Sequence, residues 1–261
     1  MDTTDGIRLD GKVAVITGAA GEIGTATMQL MAKRGARVVA VDRQEEALTK
    51  AVATLPAAAK AVSLVADVTR EDQVAGYVRK AVEAAGTIDI FYNNAGIEGE
   101  IAPITHYPLE SFQRVLDVNV TGVFLGMKHV LPVMLEKNAG SIINTASIAG
   151  LMGSPGIAVY SASKHAVIGL TKSAAIEVTG TNVRINCVCP GLIDSRMLFS
   201  IFEGRNPGQQ QAVAARSIER VPARRLGQAA EVASVVAFLA SEEARYVCGA
   251  SYVVDGGRTI G

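Results

Sequence analysis

Tryptophan is absent from this sequence and aromatic residues make up only 5% of it, although hydrophobic residues reach 49%. A chain so apolar yet so short of large rings fills its core with Val, Ala, Ile and Gly, which suits parallel strands buried on both faces. Cysteine is scarce too. Cys187, Cys189 and Cys248 are an odd number outside any disulfide framework, and one C-x-C without a nearby histidine is a poor zinc site. They read as small buried apolar residues. The three histidines, His106, His129 and His165, match no metal spacing, so no metal is expected. Charge of one sign is also lacking: 25 basic and 25 acidic residues, with no basic run, leave no electrostatic footprint for nucleic acid. Met1 to Asp10 has no signal-peptide apolar run and no 18-residue apolar span stands out, so the expectation is a cytoplasmic protein with no membrane partner.

The pattern that is present alternates strands with helices. Lys12 to Thr17 is a β-branched run, followed at once by Gly18-Ala19-Ala20-Gly21-Glu22-Ile23-Gly24 and a helical stretch to about Arg34. Strand, glycine turn and helix form the setting of a phosphate-binding loop, where glycines let the backbone approach a pyrophosphate that the helix N-terminus attracts. A second strand, Arg37 to Asp42, ends in an acid 18 residues after Gly24. An acid there can accept hydrogen bonds from the adenosine ribose and repel a 2′-phosphate, which favours NAD over NADP; the adjacent Arg43 weakens that inference slightly. The rhythm continues with a helix over 44–54, a strand over 61–66 that ends at Asp67-Val68, a helix over 71–85 and a strand over 88–92 that runs into Asn93-Asn94-Ala95-Gly96. Asp67 can contact an adenine edge or serve as a plain turn acid. Small and amide residues at Asn94, Ala95 and Gly96 let a cofactor lie close.

A long helix is expected from Leu109 to about Lys137, kinked near Pro132, and Asn119 lies inside it between two valines. A mid-helix amide is disfavoured, so Asn119 is either a satisfied buried polar residue or a group that holds water near a reaction centre. A fifth strand spans 140–146 and Ser147 follows it. A Gly/Pro-rich loop then leads to Tyr160, 13 residues after Ser147, at the start of a helix to about Thr179; a sixth strand over 182–189 ends at Pro190-Gly191. Tyr160 and Lys164 are four apart and share a helix face. Such a pair can merely share a surface, or it can place an ammonium beside a phenol and lower the phenol's pKa towards the range useful in acid–base catalysis. These alternations predict an α/β fold, a doubly wound parallel sheet with helices on both faces, as one domain over 1–261.

Taken together, Thr17 to Gly24, Asn93 to Gly96, Asn119, Ser147, Tyr160-Ser161-Ala162-Ser163-Lys164, Pro190-Gly191 and Val254 to Gly257 resemble the short-chain dehydrogenases/reductases along nearly the whole chain. The resemblance implies a Rossmann-type seven-stranded sheet ordered 3-2-1-4-5-6-7. It also implies a catalytic group of Asn119, Ser147, Tyr160 and Lys164, with Tyr160 the acid/base, Ser147 polarising the substrate oxygen, Lys164 bonding the nicotinamide ribose and Asn119 holding a water. It implies cofactor contacts at Gly18, Gly21, Ile23, Gly24, Asp42, Arg43, Asp67, Val68, Asn94, Ala95, Gly96, Tyr160, Lys164, Pro190, Gly191, Ile193 and Ser195, with the Ser195 hydroxyl and the Ile193 backbone on the nicotinamide amide. One departure stands out: the family usually has glycine where this chain has Glu22, a carboxylate tolerable near a pyrophosphate only if it turns to solvent. Gly21, where NADP-using relatives often carry a base, adds to the case for NAD.

The implied reaction is NAD-dependent interconversion of a secondary alcohol and its ketone. The segment Met197 to Phe202 reads as part of a mobile lid at about 195–220, and its apolar bulk favours a hydrophobic alcohol or ketone, cyclic or aryl ones included, over a sugar or a free acid. Ser147, Met152, Tyr160, Met197, Phe199 and Phe202 are the expected substrate contacts, while ordinary helix packing of the Met/Phe cluster stays open. Glu98 and Glu100 near the mouth would disfavour anions only modestly as exposed charges. A 3-oxoacyl-thioester reductase and a dihydrodiol or hydroxysteroid dehydrogenase are alternatives with the same residues; a dinucleotide-sensing scaffold would not need Ser147, Tyr160 and Lys164 together. The resemblance further implies a homotetramer or homodimer, and the 109–137 and 158–179 helices carry more apolar residues than one sheet face needs.

Overall fold

A computed structural model describes residues 7–261. Of the N-terminal stretch read for its lack of an apolar run, Met1–Gly6 lie outside the described residues. The chain runs β1 (Val13–Thr17), α1 (Glu22–Lys33), β2 (Arg37–Asp42), α2 (Glu45–Val52), β3 (Val62–Val65), α3 (Glu71–Ala85), β4 (Ile90–Asn93), α4 (Leu109–Leu116), α5 (Gly122–Glu136), β5 (Gly140–Thr145), α6 (Ala158–Glu177), β6 (Val183–Pro190), α7 (Arg196–Arg205), α8 (Gln210–Glu219), α9 (Ala229–Ala240) and β7 (Ser251–Val254). The strands form one seven-stranded sheet in the order β3-β2-β1-β4-β5-β6-β7, and every pairing is parallel.

Successive strand residues point to opposite faces, and the two cores follow that period. Val13, Val15, Val39, Val41, Phe91, Ile142 and Ile185 pack on one face with α3, α5 and α6. Ala14, Ile16, Val38, Ala40, Tyr92, Ile143 and Val188 pack on the other with α1, α2 and α9. Both faces being covered explains why β1 is buried at every position. All of the loops that matter for chemistry therefore gather where the strands end.

The expected long helix is interrupted at Asp117–Thr121 and not at Pro132, which α5 accommodates. There the Gly122 N–H bonds the Asp117 carbonyl five residues back, a π turn of the kind often found at functional sites. Glycine is needed at 122 because a Cβ would lie 2.9 Å from Val68 Cγ2. Leu109–Glu136 is also long and apolar enough, by composition, to cross a membrane, contrary to the expectation that no such span exists. Its apolar residues Val123, Met127, Val130 and Met134 belong to the core on the α3 face, and Lys128 and His129 both reach Glu71 at 2.6 and 3.1 Å. The cysteine expectation is corrected at one position: Cys187 and Cys189 are buried, but Cys248 is exposed.

Candidate active site

A cleft of about 1240 Å³ crosses the C-terminal ends of the strands, lined by Gly18 after β1, Asp42 of β2, Ala66 after β3, Asn94 after β4, Thr145 of β5 and Pro190 of β6. That exceeds the roughly 300–1,000 Å³ of a typical small-molecule pocket and leaves room for a dinucleotide beside a substrate. The glycine loop is shaped by close approach. Gly18 has φ +62°, and a Cβ on it would lie 2.8 Å from Ala95 Cα; a Cβ on Gly24 would lie 2.2 Å from the Gly18 carbonyl oxygen. Thr17, which the sequence placed in the motif without a role, ties this loop to β4: its hydroxyl accepts from the Asn94 N–H at 2.9 Å and the Ala95 N–H at 3.2 Å. The Asn94 amide donates to the Thr17 and Gly18 carbonyls, and its oxygen accepts from the Thr145 hydroxyl. Three strand ends are thus pinned together beneath the cleft.

The Asp42 carboxylate is fixed by the Ala20 and Gln44 N–H groups, both at 3.0 Å, and it lines the cleft with the exposed Arg43. Asp67 and Val68 line it as well, but the Asp67 carboxylate is turned into its own loop, where one oxygen accepts from the Thr69 N–H and hydroxyl at 2.9 and 2.8 Å. Gly21, Ile23, Gly96, Pro190, Gly191, Ile193 and Ser195 all reach the cleft. Ser195 is also the N-cap of α7: its hydroxyl accepts from the Leu198 N–H at 3.3 Å and donates to the Ile193 carbonyl at 3.0 Å. The expected free hydroxyl is therefore already engaged. Glu22 is exposed to solvent, as its tolerance near a pyrophosphate requires. Its Oε1 accepts from the Arg196 N–H at 2.8 Å, so the carboxylate joins the N-termini of α1 and α7, where two helix dipoles favour it.

At the floor of the cleft stand the Ser147 hydroxyl, which accepts from the Ala149 N–H at 3.1 Å and donates to the Pro190 carbonyl at 3.5 Å, and beside it the buried Tyr160 phenol. The Tyr160 ring packs with Ala149, Ile157 and Ile201, with Ile101 and Met197 behind. Lys164, one turn along α6, is 3% exposed; its Nζ donates to the Thr145 carbonyl at 2.8 Å and stands 5.5 Å from the Tyr160 ring centroid. Burial pushes the Lys164 ammonium down to about 8. Burial likewise pushes the Tyr160 phenol up to about 12, against the Ser147 hydrogen bond that lowers it and with the Glu98 carboxylate that raises it. This corrects the expectation that Lys164 lowers the phenol: desolvation outweighs any such help in this arrangement.

Asn119 is fully buried on the π turn. Its Nδ2 donates to the Ile97 carbonyl at 2.9 Å and to Ser163 Oγ at 3.0 Å, and its Oδ1 accepts from the Ile97 N–H at 2.8 Å. The side chain thus clamps the loop after β4 onto α6. Ser163, a further residue that the reading missed, passes the link on by donating to the Tyr160 carbonyl at 2.7 Å.

Of the expected substrate contacts, Ser147, Met152, Tyr160 and Met197 line the cleft, and Phe199 and Phe202 do not. Phe202 is fully buried, meeting Phe199 edge-on at 6.0 Å, so the pair is ordinary helix packing on α7. Ile157, Leu198 and Ile201 supply the apolar wall instead. Glu98 is buried and paired with Arg196 at 3.1 Å, and so is not the exposed charge expected.

Comparison with known proteins agrees with this geometry. The family model described as enoyl-(acyl carrier protein) reductase matches residues 18–259. Levodione reductase of Leifsonia aquatica is 38% identical over 97% of this chain and 96% of its own. The 3-oxoacyl-(acyl-carrier-protein) reductase of Thermotoga maritima is 41% identical over 97% and 100%, and cyclohexanol dehydrogenase of Acinetobacter sp. (strain SE19) 40% over 97% and 96%. Among solved structures, levodione reductase superposes with a TM-score of 0.94 at 38% identity, covering 97% of this chain and 99% of that one. NAD+-bound xylitol dehydrogenase gives 0.90 at 38% identity, covering 95% and 99%.

Proposed function

The chain belongs to the short-chain dehydrogenase/reductase family, and from that premise we propose that it interconverts an apolar secondary alcohol, cyclic or aryl alcohols included, with its ketone, using NAD. The observation that carries this reading is that the Ser147 hydroxyl, the Tyr160 phenol and the buried Lys164 ammonium meet in an apolar wall at the floor of the cleft. A nicotinamide cofactor, when bound, supplies or accepts the hydride at the substrate carbon. The glycine loop fits such a group, because Gly18, Gly21, Ile23 and Gly24 line the cleft at the N-terminus of α1. Gly18, Gly21, Ile23 and Gly24 would hold the pyrophosphate, Asp42 the adenosine ribose, Asp67 and Val68 the adenine, Lys164 the nicotinamide ribose, and Pro190, Gly191, Ile193 and Ser195 the nicotinamide.

The protein's own part is proton handling and orientation. Tyr160, a protonated phenol at neutral pH, gives its proton to the carbonyl oxygen in reduction and takes it from the hydroxyl in oxidation. Ser147 donates to the same oxygen and stabilises the charge that develops there. Asn119 positions Tyr160 and Lys164 by joining the loop after β4 to α6. The apolar wall of Met152, Ile157, Leu198 and Ile201 supports a hydrophobic substrate and keeps water from the reacting carbon.

Preference for NAD rests on Asp42, whose carboxylate is held by two N–H groups where a 2′-phosphate would approach it. A 3-oxoacyl-thioester reductase is a second reading, favoured by the Thermotoga relative. A homotetramer or homodimer is the proposed assembly, supported by exposed Leu109, Phe112, Phe124, Leu135 and Ile176 on α4 to α6. Turnover of a panel of cyclic, aryl and linear secondary alcohols with NAD and NADP side by side tests the reading. Clear NADP preference, or activity confined to 3-oxoacyl thioesters, would overturn it.

A further inference from the structure

The lid carries an unbalanced charge. Val213, Arg216 and Ser217 on α8 and Arg220 just after it recur at helical spacing and all line the cleft, so one face of the helix looks into it. Arg205, the last residue of α7, lines the same cleft. Its Nη2 donates to Ser154 Oγ at 2.7 Å and to the Pro155 carbonyl at 3.3 Å, on the loop that leads to Tyr160, while its Nε is buried with no partner. Among the described residues, Arg205, Arg216 and Arg220 form no ion pair, whereas Arg70, Arg196 and Arg225 each have a carboxylate. The acids that line the cleft, Glu22, Asp42, Asp67, Glu110 and Asp117, lie on other elements. Glu98 is spent on Arg196. In a chain with no net charge, three arginines from one segment that line the cleft without a carboxylate partner, Arg216 and Arg220 of them exposed, make a local positive field that selects an anion.

We propose that the substrate carries an oxyanion, a carboxylate, at the end remote from its reacting carbon, and that Arg205, Arg216 and Arg220 hold it. The inference rests on the secondary alcohol reading and sharpens it: an apolar ring or chain spans from Tyr160 past Ile157 and Ile201 to the guanidinium groups. A guanidinium meets a carboxylate with two parallel N–H bonds, which a neutral ester of the same shape cannot match.

The test compares NADH-dependent reduction of 4-oxocyclohexanecarboxylate and its methyl ester, with acetoacetyl-coenzyme A as a third arm. In the wild type the acid is expected to exceed the ester in kcat/KM by at least about tenfold. In the Arg216→Ala/Arg220→Ala double variant that ratio falls to within about threefold of one, and the Arg216→Lys/Arg220→Lys pair restores much of it. A wild-type ratio of one or less, with the ester turned over, overturns the anion site and leaves the alcohol reading standing. If neither ketone is reduced with NADH or NADPH, the alcohol reading fails and takes this one with it. A thioester favoured over the free acid through the same arginines would make the oxyanion a phosphate and overturn the carboxylate. Loss of NADH affinity by the same factor in the double variant would assign the arginines to the cofactor and overturn the proposal as well.

Discussion

Replacing Asp42 by Asn perturbs cofactor choice with little change in shape. In the wild type a carboxylate and a 2′-phosphate dianion would face each other where Asp42 lies at the end of β2. One pair of unit charges about 4 Å apart costs about 1 kcal/mol in bulk water, so the dianion costs about 2, and more in the half-buried cleft where the effective dielectric is lower. Two kcal/mol is a factor of about thirty. Asn removes that repulsion and leaves the neighbouring Arg43 available to a phosphate. It also leaves one carbonyl oxygen for the two N–H groups, of Ala20 and Gln44, that the carboxylate holds. One lost hydrogen bond is worth about 1 kcal/mol and so about 2–4 °C in Tm for a chain of this size. The assay is kcat/KM for one alcohol with NAD and with NADP. The NAD:NADP ratio is expected to fall at least about thirtyfold, with part of the change a gain with NADP. A ratio within threefold of wild type would refute the electrostatic argument.

The raised phenol carries a sign for pH. Because Tyr160 stays protonated at neutral pH and oxidation needs the phenolate, alcohol oxidation is expected to rise from pH 7 to 9 while ketone reduction does not; oxidation falling over that range would contradict the assignment. Glu98 raises the phenol, so Glu98→Gln is expected to move the rising limb of oxidation to lower pH, and a move to higher pH counts against this. Gly24→Ala places a Cβ against the Gly18 carbonyl and is expected to cost about 3 kcal/mol or more, a fall of about 6–12 °C in Tm, together with NADH affinity; melting within 2 °C of wild type would refute the close-packing account. Glu22→Gly frees the N-terminus of α7, so amide exchange over 196–205 is expected to quicken at least threefold and NADH to bind no more weakly; unchanged exchange contradicts the link.

Those predictions also mark what could be read from residues alone. The glycine loop and the strand that ends in Asp42 were legible because local chemistry dictates them, through φ above zero and period-two burial; i, i+4 spacing left Tyr160 and Lys164 free merely to share a surface, and only the family resemblance grouped them with Ser147. The lid was only half legible. Met197, Leu198, Phe199, Ile201 and Phe202 crowd a single helix, and composition cannot tell which face meets the cleft; Phe202 went to the core while Ile201 reached the wall. Arg216 and Arg220 gave no signal, since surface arginines at helical spacing are ordinary until a cleft is seen beneath them. Asn119 was marked as odd, but its partners Ile97 and Ser163 lie 22 and 44 residues away, a distance no spacing rule spans. The direction of the Tyr160 shift was misread because burial, unlike charge spacing, is set by the whole fold.

The most direct test of the central claim, that Tyr160 is the proton donor and acceptor of an alcohol dehydrogenase, is the turnover of Tyr160→Phe. Phenylalanine keeps the ring that packs with Ile157 and Ile201 and removes only the phenol hydroxyl. A variant with wild-type melting and NADH binding is expected to retain less than about a hundredth of wild-type turnover, in line with the roughly 10²–10⁴-fold contribution of general acid–base catalysis. Retention of more than about a tenth would contradict the account.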